Sequence, residues 1–343
     1  MSAHRFVARC AAVAAAATIA SVGFSTATQA EIFPLPPAGP AVIDTIAVDA
    51  KPTGIAVSPL TGDIYTANYA SGTVSVISPQ TETVIKTITV GSNPWWIAVS
   101  PLTGEVYVAN SELSTHDGGD SVSVIDGSTN AVTATIPVGS IPEGIAVSPF
   151  TGDVYVTNSG DDSLSVISGQ TNAVITTIPV ATDPAAVAVS PFTGDVYALG
   201  YDGAVSVVNG KTNQAITTMA LGSGLGYLGI SPLTGQVYLS SSDTSQVFVL
   251  NGQTNEVTNT LNTGTGTVPD GIAFSPVTNE VYVAISGENQ TSVLNALSDQ
   301  VAGTVDVGGH PVGAAYDPSD NAVYVTNLDD NTVSVIGYAT PVQ

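Results

Sequence analysis

Positive charge is almost missing from this chain. Across 343 residues, 5 Lys+Arg stand against 28 Asp+Glu, a formal net charge of −23. So acidic a surface repels phosphate backbones, which argues against nucleic acid as a partner, and it disfavours anionic lipid surfaces for the same reason. Cysteine occurs once, at Cys10, so no disulfide framework supports the fold and the core must suffice. Catalytic groups are also scarce. Beyond the first thirty residues the only histidines are His116 and His310, no His pair has metal-ligand spacing, and no Gly-x-Ser-x-Gly elbow is present. Tryptophan occurs twice, side by side, at Trp95 and Trp96.

Residues 1–30 read as an export signal: a basic start (MSAHRFVAR), an Ala-rich apolar run (CAAVAAAATIASVGF) too short for a membrane span, and small residues before a cut near Ala30. Cleavage would remove Arg5, Arg9 and Cys10, leaving Lys51, Lys86 and Lys211 against all 28 acids and no transmembrane segment. Residues 31–40 form a Pro-rich linker. Residues 41–343 are expected to form one domain, located outside the cytoplasm: extracellular, periplasmic or at the cell surface.

What the chain has in quantity is repetition. Segments ending in Ser-Pro or Asp-Pro begin at Pro52, Pro94, Pro142, Pro184, Leu225, Pro269 and Pro311. A period in the low forties is that of propeller blades. Each unit reads as four short strands rich in Val, Ile, Thr and Tyr: A (GIAVS), B (DVYVTN), C (SVSVI) and D (AVITTIPV). Pro137 and Pro179 fall in strand D, which therefore belongs at a sheet edge. The last unit lacks strand D, and residues 41–48 (AVIDTIAV) match residues 83–90 (TVIKTITV). The N-terminal strand is thus expected to complete the last blade of an all-β, seven-bladed propeller with four-stranded antiparallel blades.

Tyr155–Asn158 and Tyr324–Asn327 spell YVTN, and the tyrosine recurs in every unit, from Tyr65 to Tyr324. With GIAVSP and TGDVY, the repeat resembles that of the YVTN-repeat β-propeller family, the YncE-like group, across residues 41–338. The resemblance implies an exported or surface-associated scaffold that serves in interactions. The tyrosines are expected to pack between blades with their hydroxyls reaching a partner. Asn68, Asn110, Asn158 and Asn327 end strand B and are expected to bond the following turn.

Candidate functional residues lie in loops, where blades differ. The B–C and D–A loops emerge on one face, here the top, and carry half of the acids. Blade 2 has a longer B–C loop, NSELSTHDGGDS, in which Glu112, Asp117 and Asp120, with His116, are candidate Ca²⁺ ligands; no other cofactor is expected. Trp95 aligns with Thr53, Glu143, Ala185, Gly226, Asp270 and Val312, a mixed column expected to face solvent. Trp96 aligns with Gly54, Gly144, Ala186, Tyr227, Gly271 and Gly313, where glycine implies a tight backbone at the channel mouth. Trp96 and Tyr227 are expected to face each other across that mouth, either as a plug or as a recognition platform, with His310 as a polar neighbour. The leading reading is a monomeric binding protein that takes a protein, peptide or glycan at the top face through Trp95, Trp96, Tyr227 and His310. The alternatives are a lactonase-like hydrolase or lyase with a metal at the channel mouth, and a structural envelope component.

Overall fold

The computed structural model describes residues 39–111, 120–264, 266–298 and 300–338. The segment expected to be an export signal, most of the expected linker, Glu112, His116 and Asp117 lie outside the described residues. Seven four-stranded antiparallel sheets follow one another along the chain, each ordered A–B–C–D. Every strand A begins where the repeat places it, from Pro52–Val57 in blade 1 to Pro311–Asp317 in blade 7. Blade 7 is completed by the N-terminal strand Pro40–Ala47, which pairs antiparallel with strand C, Thr332–Tyr338, in a register that joins Thr45 to Ser334. Among the described residues no helix is long and apolar enough to cross a membrane.

The repeat motifs have separate physical jobs. In SPLTGD, Ser58 Oγ accepts from the Thr61 N–H, and Gly62 donates back to Ser58 O. Gly62 sits at φ 78°, the left-handed region that a side chain resists. Strands B and C are buried along most of their length, whereas strand D is largely exposed and buries one apolar residue, such as Ile88, Ile136 or Ile178. The C–D pairing carries a bulge in every blade, for example between Val166 and Ile167. That bulge twists the outer edge and makes it a poor template for pairing with another chain.

The tyrosines hold blade to blade. Six of them are fully buried, and Tyr282 nearly so. Tyr65, Tyr107, Tyr155 and Tyr197 donate to the Oδ1 of Asn130, Asn172, Asn213 and Asn255 at 2.7–3.2 Å, in the C–D turn of the following blade. Each of those asparagines is itself left-handed, at φ 51–59°. One residue type thus closes the turn and receives the neighbouring blade's hydroxyl. The strand-B asparagines act differently from expectation. Asn158 Nδ2 donates to Ser163 and Ser165 Oγ, both at 3.0 Å, and Asn68, Asn110 and Asn327 repeat the pattern. They stitch strand B to strand C through side chains instead of capping the turn backbone.

Candidate functional site

The seven A strands converge at the channel, and their first residues decide what fills its top. Where the repeat has glycine, the next blade's backbone comes too close for a side chain. A Cβ on Gly54 would lie 2.7 Å from Trp96 Cα, and one on Gly271 would lie 2.3 Å from Val312 O. In blade 2 the ladder instead pairs Trp96 directly with Ala109. In blade 5 Ser240 Oγ, at 3.2 Å, accepts the N–H of Tyr227. The two aromatic rings meet with centroids 4.9 Å apart and planes tilted by 36°. A void of about 20 Å³ remains beside them, lined also by Trp95, Ala186 and Leu228, which is room for about one water. Trp96 and Tyr227 therefore form a plug.

The column of Trp95 is more enclosed than its polarity implied. Thr53, Ala185 and Val312 are buried. The D–A loop turns this residue between neighbouring blades, where the Thr53 hydroxyl lies 3.3 Å from both Ala67 O and Pro94 O. Trp95 is partly buried and meets Tyr69, on the B–C loop of blade 1, edge to face at 5.4 Å and 83°. Two aromatic pairs thus sit side by side at the top mouth.

Two carboxylates of the same column complete the site. Glu143 accepts from Ser159 Oγ at 3.1 Å and from the Tyr201 hydroxyl at 3.3 Å, the latter belonging to the next blade. Burial pushes the Glu143 carboxyl up to about 7, opposed by the Ser159 hydrogen bond, while nearby Asp183 pushes the same way as burial. Asp270 is likewise pushed up to about 7 by burial, against a hydrogen bond from Ser286. The Tyr227 hydroxyl is held well above its ordinary range, first by burial and then by the Asp270 charge. Both carboxyls are therefore partly protonated near neutrality.

A carboxyl whose pKa is raised on folding contributes stability that is present below its unfolded value and lost as pH rises through the folded one. Glu143→Gln keeps groups able to meet Ser159 and Tyr201 but removes the charge. It is expected to stabilise the protein by about 1–2 kcal/mol at pH 8, with the difference vanishing towards pH 4. Thermal melts of both proteins across that range check this, and a gain that grew towards acid pH would contradict it.

His310 lies in the D–A loop of blade 7. It is left-handed at φ 54°, its N–H donates to Asn289 Oδ1, and its Nδ1 is 3.8 Å from Asp329 Oδ2. Asp329 also holds Lys51 at 2.7 Å, which keeps its carboxyl below the usual range. His310 thus neighbours Asp329, which Lys51 also meets. Asp120 precedes strand C of blade 2, and its carbonyl accepts from the Val138 N–H. Among the described residues no group of three or more His, Cys, Asp or Glu is placed to hold a metal ion. Glu143, Asp270, Tyr69 and Tyr201 were not singled out in the sequence as site residues. The shared column with Trp95 was the available signal for the two carboxylates.

The opposite end of the channel is open, with a cavity of about 520 Å³ between the A strands and the A–B loops. No family model matches the sequence, and no curated protein does either. Among solved structures, a chain of hydrazine synthase from Kuenenia stuttgartiensis matches with a TM-score of 0.75 and 20% identity, over 85% of this chain and 96% of that one. At that identity the likeness shows the fold, a seven-bladed β-propeller.

Proposed function

We propose that this chain is an exported, monomeric and non-catalytic recognition propeller of the YVTN-repeat, YncE-like kind, and that its top face binds a basic protein or peptide segment. The observation that carries the reading is the pair of aromatic contacts at the mouth, Trp95 on Tyr69 and Trp96 on Tyr227, set among acidic loops. Tyr201, 41% exposed, adds a third aromatic face beside Glu143. Rigid, partly exposed aromatic rings supply contact area at low entropic cost, and they are enriched at binding hot spots. The loops around them carry Asp161, Asp162, Asp183, Asp202 and Asp243, which draw cationic side chains and repel anionic ones. Export rests on the N-terminal thirty residues.

Calorimetric titration of the mature protein with lysine-rich and glutamate-rich peptides of equal length tests this. The lysine-rich peptide is expected to bind and to weaken with salt. Trp95→Ala is expected to lower its affinity about tenfold, the scale of an aromatic hot spot. No binding, or affinity unchanged in a Trp95→Ala/Tyr201→Ala double variant, would overturn the assignment.

A further inference from the structure

The bottom of the channel offers a second site of different chemistry. Its walls come from the inner faces of the A strands, including Ala98, Val147, Ala188 and Ile230, and five prolines of the A–B loops surround its opening, Pro59 and Pro149 among them. At about 520 Å³ the space falls within the range of small-molecule pockets. Its one hydroxyl-bearing wall residue, Tyr316, already donates to Asn321 Oδ1 at 2.9 Å and asks nothing of a ligand. The Trp96–Tyr227 plug occupies the far end. Ile97, the neighbour of Trp96 in the chain, reaches the cavity wall.

Two sets of turn residues surround the opening. The inner one is apolar: Leu60, Leu102, Phe150, Phe192, Leu233 and Val277 occupy the same turn position in six blades and are 48–67% exposed. They have a local task, since Leu60, Leu102, Phe150 and Phe192 each lie over the turn glycine of the next blade. Their outer faces nevertheless make a repeated apolar collar at one end of the molecule, and apolar surface gathered in this way marks contact sites. The second is an acidic arc, interrupted where blades 5 and 7 have Gln236 and Ala322. The residue after the turn glycine opens strand B, one strand further from the axis, and it is Asp63, Glu105, Asp153 or Asp195 in the first four blades. No cation is among the residues lining the cavity.

We propose that this end of the channel binds one single-chain aliphatic amphiphile with a cationic head, its tail against the apolar side chains of the channel and its head over the acidic arc of blades 1 to 4. The tail leaves water for the apolar side chains that line the A strands, so each added methylene tightens binding about three- to fourfold. The carboxylates admit a positive head and reject an anionic one of equal length. The site lies at the opposite end from the top-face reading and stands or falls independently of it.

The test is calorimetry of the mature protein with alkyltrimethylammonium ions of increasing chain length below micelle formation, beside the alkyl glucoside and the alkanoate of matched length. The expected result is one site per chain, tightening with chain length. The ammonium should bind at least tenfold more tightly than the alkanoate, with the glucoside between them. A tail carrying a terminal bromine is expected to quench Trp96 emission in Trp95→Phe, whereas bromine beside the head should not. Ala146→Phe narrows the channel and should weaken binding at least tenfold; if that variant misfolds, the bromine comparison in the otherwise native chain still decides. The absence of saturable binding, equal affinity for the alkanoate, or equal quenching from both bromine positions would overturn the proposal.

Discussion

Deleting residues 40–48 is expected to abolish cooperative melting and drive the chain to aggregate. This strand supplies the outer edge of the sheet whose other three strands lie some 270 residues away in sequence. It buries Ile46 against the core formed with Ile55, Ile64, Val333 and Val335. Without it, strand C of blade 7 would present the unpaired backbone of Thr332–Tyr338 and the freshly uncovered faces of its buried residues. The ring would also lose the strand pairing that closes blade 7, a loss beyond about 4 kcal/mol, on the scale of the most disruptive single changes. A synthetic peptide spanning residues 39–50, added in excess, is expected to restore the melt. A truncated chain that stayed monomeric and melted like the intact protein would contradict strand closure.

Alanine at Gly271 or Gly313 is expected to destabilise the protein by about 2–3 kcal/mol, although it adds only a methyl group. The added Cβ would lie 2.3 Å from Val312 O in the first case and 2.5 Å from Thr53 O in the second. Both contacts are with backbone of the next blade, which can yield only by widening the ring. Gly226, one residue before Tyr227, has nothing within 4 Å of the equivalent position. Gly226→Ala is therefore expected to be neutral or to stabilise by roughly 0.5 kcal/mol through the unfolded chain. Chemical denaturation of the three variants separates close approach from a general need for flexibility. A Gly226 cost matching that of Gly271 would remove the steric account.

Sequence periodicity made most of this architecture legible. A repeat whose first residue is Pro or Leu and whose second strand carries a tyrosine is read directly as blades, and the match of residues 41–48 to residues 83–90 located the closing strand. The glycines at positions 54, 144, 271 and 313 also announced a tight approach, because glycine has no other local reason to stand inside a strand. What the sequence left open were contacts between blades. Glu143 and Tyr201 are 58 residues apart, and only the packing of blade 4 against blade 3 brings them to 3.3 Å. The burial of Thr53, Ala185 and Val312 was misjudged from polarity, because strand A leans against the next blade rather than into solvent. The collar of Leu60, Leu102, Phe150 and Phe192 reads along the chain as four ordinary turn residues. It becomes a surface only when the blades are placed in a circle.

The plug decides how the top of the channel is read, and emission from Trp96 alone tests it most directly. In Trp95→Phe the remaining tryptophan is predicted to emit to the blue of a solvated indole and to resist a soluble quencher. Adding Tyr227→Ala should shift the emission to the red and open it to the quencher. Trp96 emission that is red and freely quenched from the start, and indifferent to Tyr227→Ala, would contradict a closed mouth.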